Sequence, residues 1–185
     1  MRYWTNRMRK FSLSTKLIFL PSLMLCVVGV NVASLFSLAS SSKRQSATVF
    51  GAFNLARQSF YWKKSDRGNA KSFIAFLHQL RGRFKGKHLL IILDNASYHR
   101  SKAVKRFLLR HPEVELIFLP PYSPEYNPVE QIWGWLKRKV CEQGAGTKGI
   151  AAVISKIRKW CWHWRADNLS APLHVGLGLW ETLFI

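Results

Sequence analysis

His88-Leu89-Leu90-Ile91-Ile92-Leu93-Asp94-Asn95-Ala96-Ser97-Tyr98-His99 is an unbroken apolar run that stops on a carboxylate. A short run without polar interruption, closed by turn residues, is the pattern of a strand buried on both faces of a central sheet. It leaves Asp94 at the strand end. Downstream, Leu119-Pro120-Pro121-Tyr122-Ser123-Pro124-Glu125-Tyr126-Asn127-Pro128-Val129-Glu130 is a rigid turn that ends on a second carboxylate. Asn127 is a preferred helix cap and Pro128 suits the first helical position. Glu130, three residues after the cap, completes a capping-box pattern. Between the two acids lie 35 residues, positions 95 to 129.

Acid is scarce in this chain. Its 185 residues hold 29 Lys+Arg against 9 Asp+Glu, a net charge of +20. Two carboxylates carried on the ends of separate stiff elements therefore suggest a divalent-metal site. Magnesium takes hard oxygen ligands and keeps several waters, so two or three carboxylates are a typical protein share. Two such ions can clamp the attacking and leaving oxygens of a phosphoryl transfer. Plainer readings stand beside this one. Asp-Asn after a strand is good turn chemistry, and Glu130 can serve its cap alone.

The charge points to partners. A polyanion such as nucleic acid is the first candidate and an anionic membrane surface the second. Residues 1–45 carry seven Lys/Arg and no acid, and the first acid is Asp66. The remaining residues still carry 22 basic against 9 acidic side chains. Cys26, Cys141 and Cys161 fit neither a disulfide framework nor a zinc spacing. They read as thiols of a reducing compartment.

Leu17 to Leu38 runs 22 residues without a charge, behind a basic flank, with Pro21 and Asn31 inside it. That is long enough to span a bilayer as a helix. Beyond a polar joint at Ser40–Arg44, the pattern becomes that of a compact α/β domain. Strands are expected at Ala47–Phe53, Ser59–Trp62, His88–Leu93 and Val114–Leu119. Helices are expected from Asn69 through Leu80, Ser101 through Arg110, Asn127 through Val140, and Ile150 to about Trp164. Arg81 to Lys87 reads as a basic loop.

LDNASYHRS followed by FLPPYSPEYNPVEQIWGWLK resembles the catalytic core of DDE-superfamily transposases, of the bacterial insertion-sequence type related to mariner elements. The resemblance runs from about Ser46 to Arg165 and includes Val49-Phe50-Gly51-Ala52. It implies an α/β fold, a ribonuclease H-like mixed sheet flanked by helices. It implies that Asp94 and Glu130 are the second and third catalytic acids and ligands of Mg2+ or Mn2+. It also implies DNA as partner, with strand cleavage and strand transfer in transposition as the parent activity. The family's first acid stands on its first strand, some 30–40 residues before the Gly-Ala motif. Counted back from Gly51 this falls near residues 11–21, where there is no acid. An N-terminal helix-turn-helix is likewise not evident. The expected fold is thus incomplete at the N-terminal strand, and this copy is expected to be inactive or nearly so.

Three domains follow. Residues 1–45 are an aberrant basic and apolar segment, residues 46–165 the catalytic-core remnant, and residues 166–185 a tail. Segment 1–45 has three readings. It is out-of-frame sequence, which would drape as an unsupported apolar helix; or a membrane anchor; or a divergent first strand without its acid. Asn95, His99 and Asn127 are candidates for supporting the two acids. Lys137, Arg138, Lys139, Lys156, Arg158 and Lys159 are candidates for phosphate contact, against the plainer reading of a solvated basic face. Trp160, Trp162 and Trp164 could stack on bases or pack in the core, and Tyr122 could do either. Two rival functions remain: a non-enzymatic DNA-binding or interfering protein, and a small membrane-anchored protein. A homo-oligomer, or a mixed assembly with full-length transposase, and a cytoplasmic, nucleoid-associated location complete the expectation.

Overall fold

The computed structural model describes residues 23–31, 47–54, 59–120, 127–142 and 150–162. Its strands are β1 (Leu23–Asn31), β2 (Thr48–Asn54), β3 (Ser59–Ser65), β4 (Leu89–Leu93) and β5 (Val114–Phe118). Its helices are α1 (Ala70–Arg83), α2 (Lys102–Arg110), α3 (Pro128–Glu142) and α4 (Ile150–Trp162), and a 3-10 turn covers Ser97–Arg100. The five strands form one mixed sheet in the order β3-β2-β1-β4-β5. β1 pairs antiparallel with β2 and parallel with β4, and β4 pairs parallel with β5.

The strand at the centre of the sheet comes from the segment whose sequence suggested an apolar helix. In the stretch Leu-Met-Leu-Cys-Val-Val-Gly-Val-Asn the β-branched valines favour a pleated strand over a helix. Such an uninterrupted apolar run suits an interior strand as well as it suits a membrane helix. The paired register runs from Leu23–Leu89 to Val27–Leu93 on one side and from Leu25–Asn54 to Asn31–Thr48 on the other. Hence the draped helix does not form over 23–31, and the sheet reaches outside the expected 46–165 core. Among the described residues no helix is long and apolar enough to cross a membrane. The rest of 17–38 and the tail 166–185 lie outside the described residues.

Alternation along β2 and β4 sorts the core into two layers. Val49, Phe53 and Ile92 pack under α3 and α4 with Ile132, Trp133, Leu136, Val153 and Ile157. Phe50, Ala52, Leu89, Ile91 and Leu93 pack under α1 and α2 with Phe73, Leu77, Val104 and Phe107. Every residue of β2 and β4 is buried, as both-faced cover requires. Local signals start the helices. Asn69 Oδ1 accepts from the Ser72 amide at 3.0 Å and Ser72 Oγ accepts from the Asn69 amide at 3.1 Å, a reciprocal capping box. Ser101 Oγ accepts from the Val104 amide at 3.3 Å. α1 continues three residues past its expected end into the basic stretch, where Arg81 ion-pairs with Glu113 at 2.5 Å, tying it to the start of β5.

Gly51 sets the seat of α3. A Cβ built on it would lie 2.6 Å from the Trp133 ring and 2.7 Å from the Phe60 ring. Both rings are buried and meet edge-to-face at 5.6 Å, so neither can swing aside cheaply. Gly51→Val is expected to lower stability by about 1–3 kcal/mol through overpacking, read from the midpoint of denaturant unfolding. Removing residues 1–41 deletes β1, and residues 42–185 alone should lose cooperative unfolding and the native circular-dichroism spectrum. A truncated chain that melts cooperatively would show that the sheet does not need its central strand.

Candidate active site

β4 delivers Asp94 to the end of the sheet, and a tight local network holds it there. Asp94 Oδ1 accepts from the Ala96 amide at 3.2 Å, an Asx-type turn that stops the strand. His99 Nδ1 lies 3.0 Å from the same oxygen and donates to it. The ring of His99 is 1% exposed, with Phe73 and Tyr98 each 4.3 Å away, centroid to centroid. Its Nε2 is buried and has no hydrogen-bond partner among the described residues. A ring so confined presents one fixed donor, which orients the carboxylate. Asp94 itself remains 47% exposed.

Asn95 joins this turn to the next strand. Its side-chain amide donates to the Leu119 carbonyl, and its oxygen accepts from Arg100. Arg100 in turn lies over the Phe118 ring at 4.8 Å. The Leu119 amide donates to the Leu93 carbonyl at 2.8 Å, extending the β4–β5 ladder to the last residue before the proline turn. The exits of the two strands are therefore stitched together by side chain and backbone. Arg100 was not singled out from sequence. Its contact with Phe118 exists only because the crossover through α2 returns β5 beside β4, and no local pattern announces that.

Glu130 arrives from the other direction, in the first turn of α3. The Asn127 side chain accepts from the Val129 amide at 3.2 Å, and the Asn127 carbonyl accepts from the Glu130 amide at 3.0 Å. Asn127 is thus the buried cap foreseen from sequence, with its Nδ2 buried and unpartnered among the described residues. The reciprocal half of the capping box is not formed. Among the described residues the Glu130 carboxylate accepts no hydrogen bond.

Electrostatics link the two acids. Burial, with the nearby charge of Asp94 second, pushes Glu130 above its ordinary value of 4.5. Burial would push Asp94 up as well. The His99 hydrogen bond, the Ala96 amide and the charge of His99 outweigh it and hold Asp94 below 3.8. Tyr98 is pushed up to about 12 by burial and by Asp94. Two carboxylates whose environments drive their acidities apart, one partly solvated and one without a donor, leave an oxygen-rich site that a cation would relieve. No group of three or more potential metal ligands occurs among the described residues. On the side away from β5, β4 neighbours β1, whose nine residues include no acid. Its pairing with β4 ends at Val27 opposite Leu93, the residue before Asp94.

The other sequence candidates fall outside this cluster. Lys137 and Arg138 are exposed on α3, and Lys139 is half-buried in an ion pair with Glu142 at 2.9 Å. On α4, Arg158 and Lys159 are exposed and Lys156 is half-buried. Trp160 packs edge-to-face on Trp135 at 5.5 Å and against the core, which is the packing reading of that residue. Tyr122 and Trp164 lie outside the described residues.

Comparison with known proteins matches this geometry to a lineage. A family model described as "DDE superfamily endonuclease" matches residues 34–148. An uncharacterized 39 kDa protein of insertion element IS630 from Shigella sonnei is 36% identical over 70 residues, 36% of this chain and 20% of that protein. The uncharacterized protein y4pE/y4sA of Sinorhizobium fredii is 38% identical over 60 residues, 30% of this chain and 42% of that protein. The chain thus spans less than half the length of either relative. Among solved structures, the catalytic domain of Mos1 mariner transposase superposes with a TM-score of 0.66 at 14% identity, over 96% of this chain and 88% of that one. The HTLV-2 integrase catalytic core domain in complex with magnesium superposes with a TM-score of 0.56 at 14% identity, over 83% and 92%. At that identity the likeness is one of fold: the ribonuclease H-like mixed sheet of integrase and transposase catalytic domains.

The two acids should affect stability with opposite signs. Glu130 holds its proton more tightly when folded, so ionising it costs stability as pH rises past 4.5. Glu130→Gln is expected to melt above wild type at about pH 7 and to converge with it near pH 3. Asp94 is held below 3.8, so its contribution is complete above that value and lost as pH falls through the lower folded one. Asp94→Asn is expected to melt below wild type at neutral pH. Thermal melts across pH check both, and shifts of the same sign would overturn this account of the site.

Proposed function

The chain belongs to the DDE superfamily endonucleases, and on that premise we propose that it is a DNA-binding insertion-sequence transposase core whose catalytic site lacks one acid. Strand cleavage and transposition are the activity of the family. The observation that carries the reading is the pairing of Asp94 and Glu130. The end of β4 and the start of α3 bring them within each other's field, and Glu130 takes no donor among the described residues.

These residues fit a divalent ion in part. Asp94 and Glu130 would hold one Mg2+ or Mn2+, which when bound supplies Lewis-acid stabilisation of charge on a phosphodiester. His99 fixes the carboxylate of Asp94, Asn95 ties its turn to Leu119, and Asn127 sets the helix start that presents Glu130. With no acid on β1, a second ion has no third carboxylate to hold it among the described residues. Lys137, Arg138, Lys139, Lys156, Arg158 and Lys159 would meet DNA phosphates from the α3–α4 layer. Self-association or mixed assembly with a full-length transposase, and a cytoplasmic place on the nucleoid, belong to the same proposal. The missing acid favours one second reading, a DNA-binding protein that interferes with active copies and cuts nothing itself.

Full-length protein should retard duplex DNA in gels, and the binding should weaken steeply with salt. It should release no cleaved product in magnesium or manganese. Manganese binding, followed by calorimetry, should be weak and should vanish in Asp94→Asn. Binding of DNA that ignores salt would sink the nucleic-acid reading. Cleavage abolished by Asp94→Ala would overturn the inactive site while keeping the residue.

A further inference from the structure

The sequence candidates for phosphate contact all lie on α3 and α4. The structure shows a second and denser array on the other layer. In α2, Lys102, Lys105, Arg106, Leu109 and Arg110 recur at i, i+3, i+4, i+7 and i+8, which is one face of a helix. All five are exposed, and Leu109, at 84%, is the large apolar residue most open to solvent among those described. Val104 and Phe107 on the opposite side are buried against the sheet. The helix Lys-Ala-Val-Lys-Arg-Phe-Leu-Leu-Arg contains no acid at any position. None of its four cations joins an ion pair among the described residues.

Such a face works against its own helix. Lys102 with Lys105 and Arg106, and Arg106 with Arg110, are like charges at the spacings where side chains meet, and they repel. An ordinary solvated face mixes signs and avoids that repulsion. The face also has an address. α2 starts directly after the 3-10 turn that carries His99 and Arg100, so the row begins beside Asp94 and runs back along the sheet. α1 and α2 cover one face of the sheet and α3 and α4 the other. The edge bearing Asp94 lies between the two basic layers.

We infer that the outer face of α2 is a docking surface for the phosphate backbone of duplex DNA, flanking the candidate site on the side opposite α3 and α4. The inference rests on the DNA-binding reading above. Nine residues of helix extend about 14 Å, and a DNA strand rises about 3.4 Å per nucleotide. The row therefore tracks about four nucleotides beside the bond presented to Asp94 and Glu130. Its contacts are with phosphates, so it adds affinity and orientation without sequence preference.

The test measures the salt dependence of duplex binding for the full chain and for a variant carrying Lys102→Gln, Lys105→Gln, Arg106→Gln and Arg110→Gln. Each lost phosphate contact removes about 0.9 from the slope of log K against log salt. A fall of about 3.6 in that slope is expected, with cooperative melting kept at or slightly above the wild-type midpoint, because no buried group changes and the like-charge repulsion is relieved. A second variant, Lys105→Gln with Arg106→Gln, should lose about half as much. A full slope in both variants would overturn the inference while leaving DNA binding intact. Wild-type protein without salt-dependent binding would remove the DNA reading and this one with it. Vesicles rich in phosphatidylserine give the other arm: a loss of vesicle binding with duplex binding unchanged would assign the face to a membrane and overturn the DNA assignment.

Discussion

Parallel pairing at the middle of the sheet is the constraint on which the rest depends. β1, β4 and β5 run the same way, so the chain leaves all three at one edge. Crossovers between parallel strands cannot be tight hairpins, and here α2 makes the return from β4 to β5. β2, antiparallel to β1, starts at that same edge, so the edge gathers the ends of β1, β4 and β5 and the start of β2. Asp94 stands there because β4 ends there. The Leu119 amide reaches the Leu93 carbonyl because β5 ends beside it. α3 then returns over the sheet and brings Glu130 back to the same edge, its depth set by Trp133 on Gly51. No single residue makes the site; the strand directions do.

Sequence reading reached most of this and missed it in instructive places. His88–Leu93, Val114–Leu119 and the Asn127 cap were legible because each is written locally, in an apolar run or in a cap followed by proline. The structure moves their ends by a residue or two. Leu23–Asn31 is not marked locally as a strand, and a divergent first strand is only one of three readings of residues 1–45. Its apolar residues continue on both sides without a turn signal, so its length matched a membrane helix and its partners, Thr48–Asn54 and Leu89–Leu93, were far away in sequence. The same reason hid the stitch of Asn95 and Arg100 onto Leu119 and Phe118. The carboxylate of Glu130, which takes no donor among the described residues, was hidden differently: the capping-box pattern is present, but only the asparagine half of it forms.

Around the two acids the protein is built against its own comfort. Glu130 is half-buried and takes no donor among the described residues, Asn127 Nδ2 and His99 Nε2 are buried without partners among them, and the charge of Asp94 pushes Glu130 up further. Unsatisfied polar atoms of this kind are uncommon in folded interiors and gather where chemistry is done. Here two of them, on His99 and Asn127, belong to the residues that hold Asp94 and present Glu130, while Trp133 Nε1 and Trp160 Nε1 lie in the α3–α4 layer. The unusual feature is the contrast with β1, which supplies the backbone of its place in the sheet and none of the acidity. A sheet needs ladder hydrogen bonds and apolar faces from its central strand; it does not need a carboxylate there. Architecture and reactivity are therefore separable in this fold.

The seat of α3 on Gly51 carries a consequence for how such domains vary. Position 51 has no side chain and position 133 has the largest one, and the two together fill a single gap between strand and helix. Volume can be shifted from one to the other only in step, so the pair should change together along a lineage rather than singly. Because Trp133 lies one helical turn from Glu130, the shared volume also acts as a spacer. It sets how high above the sheet the second carboxylate rides, and a lineage could retune the gap between its acids without touching either acid.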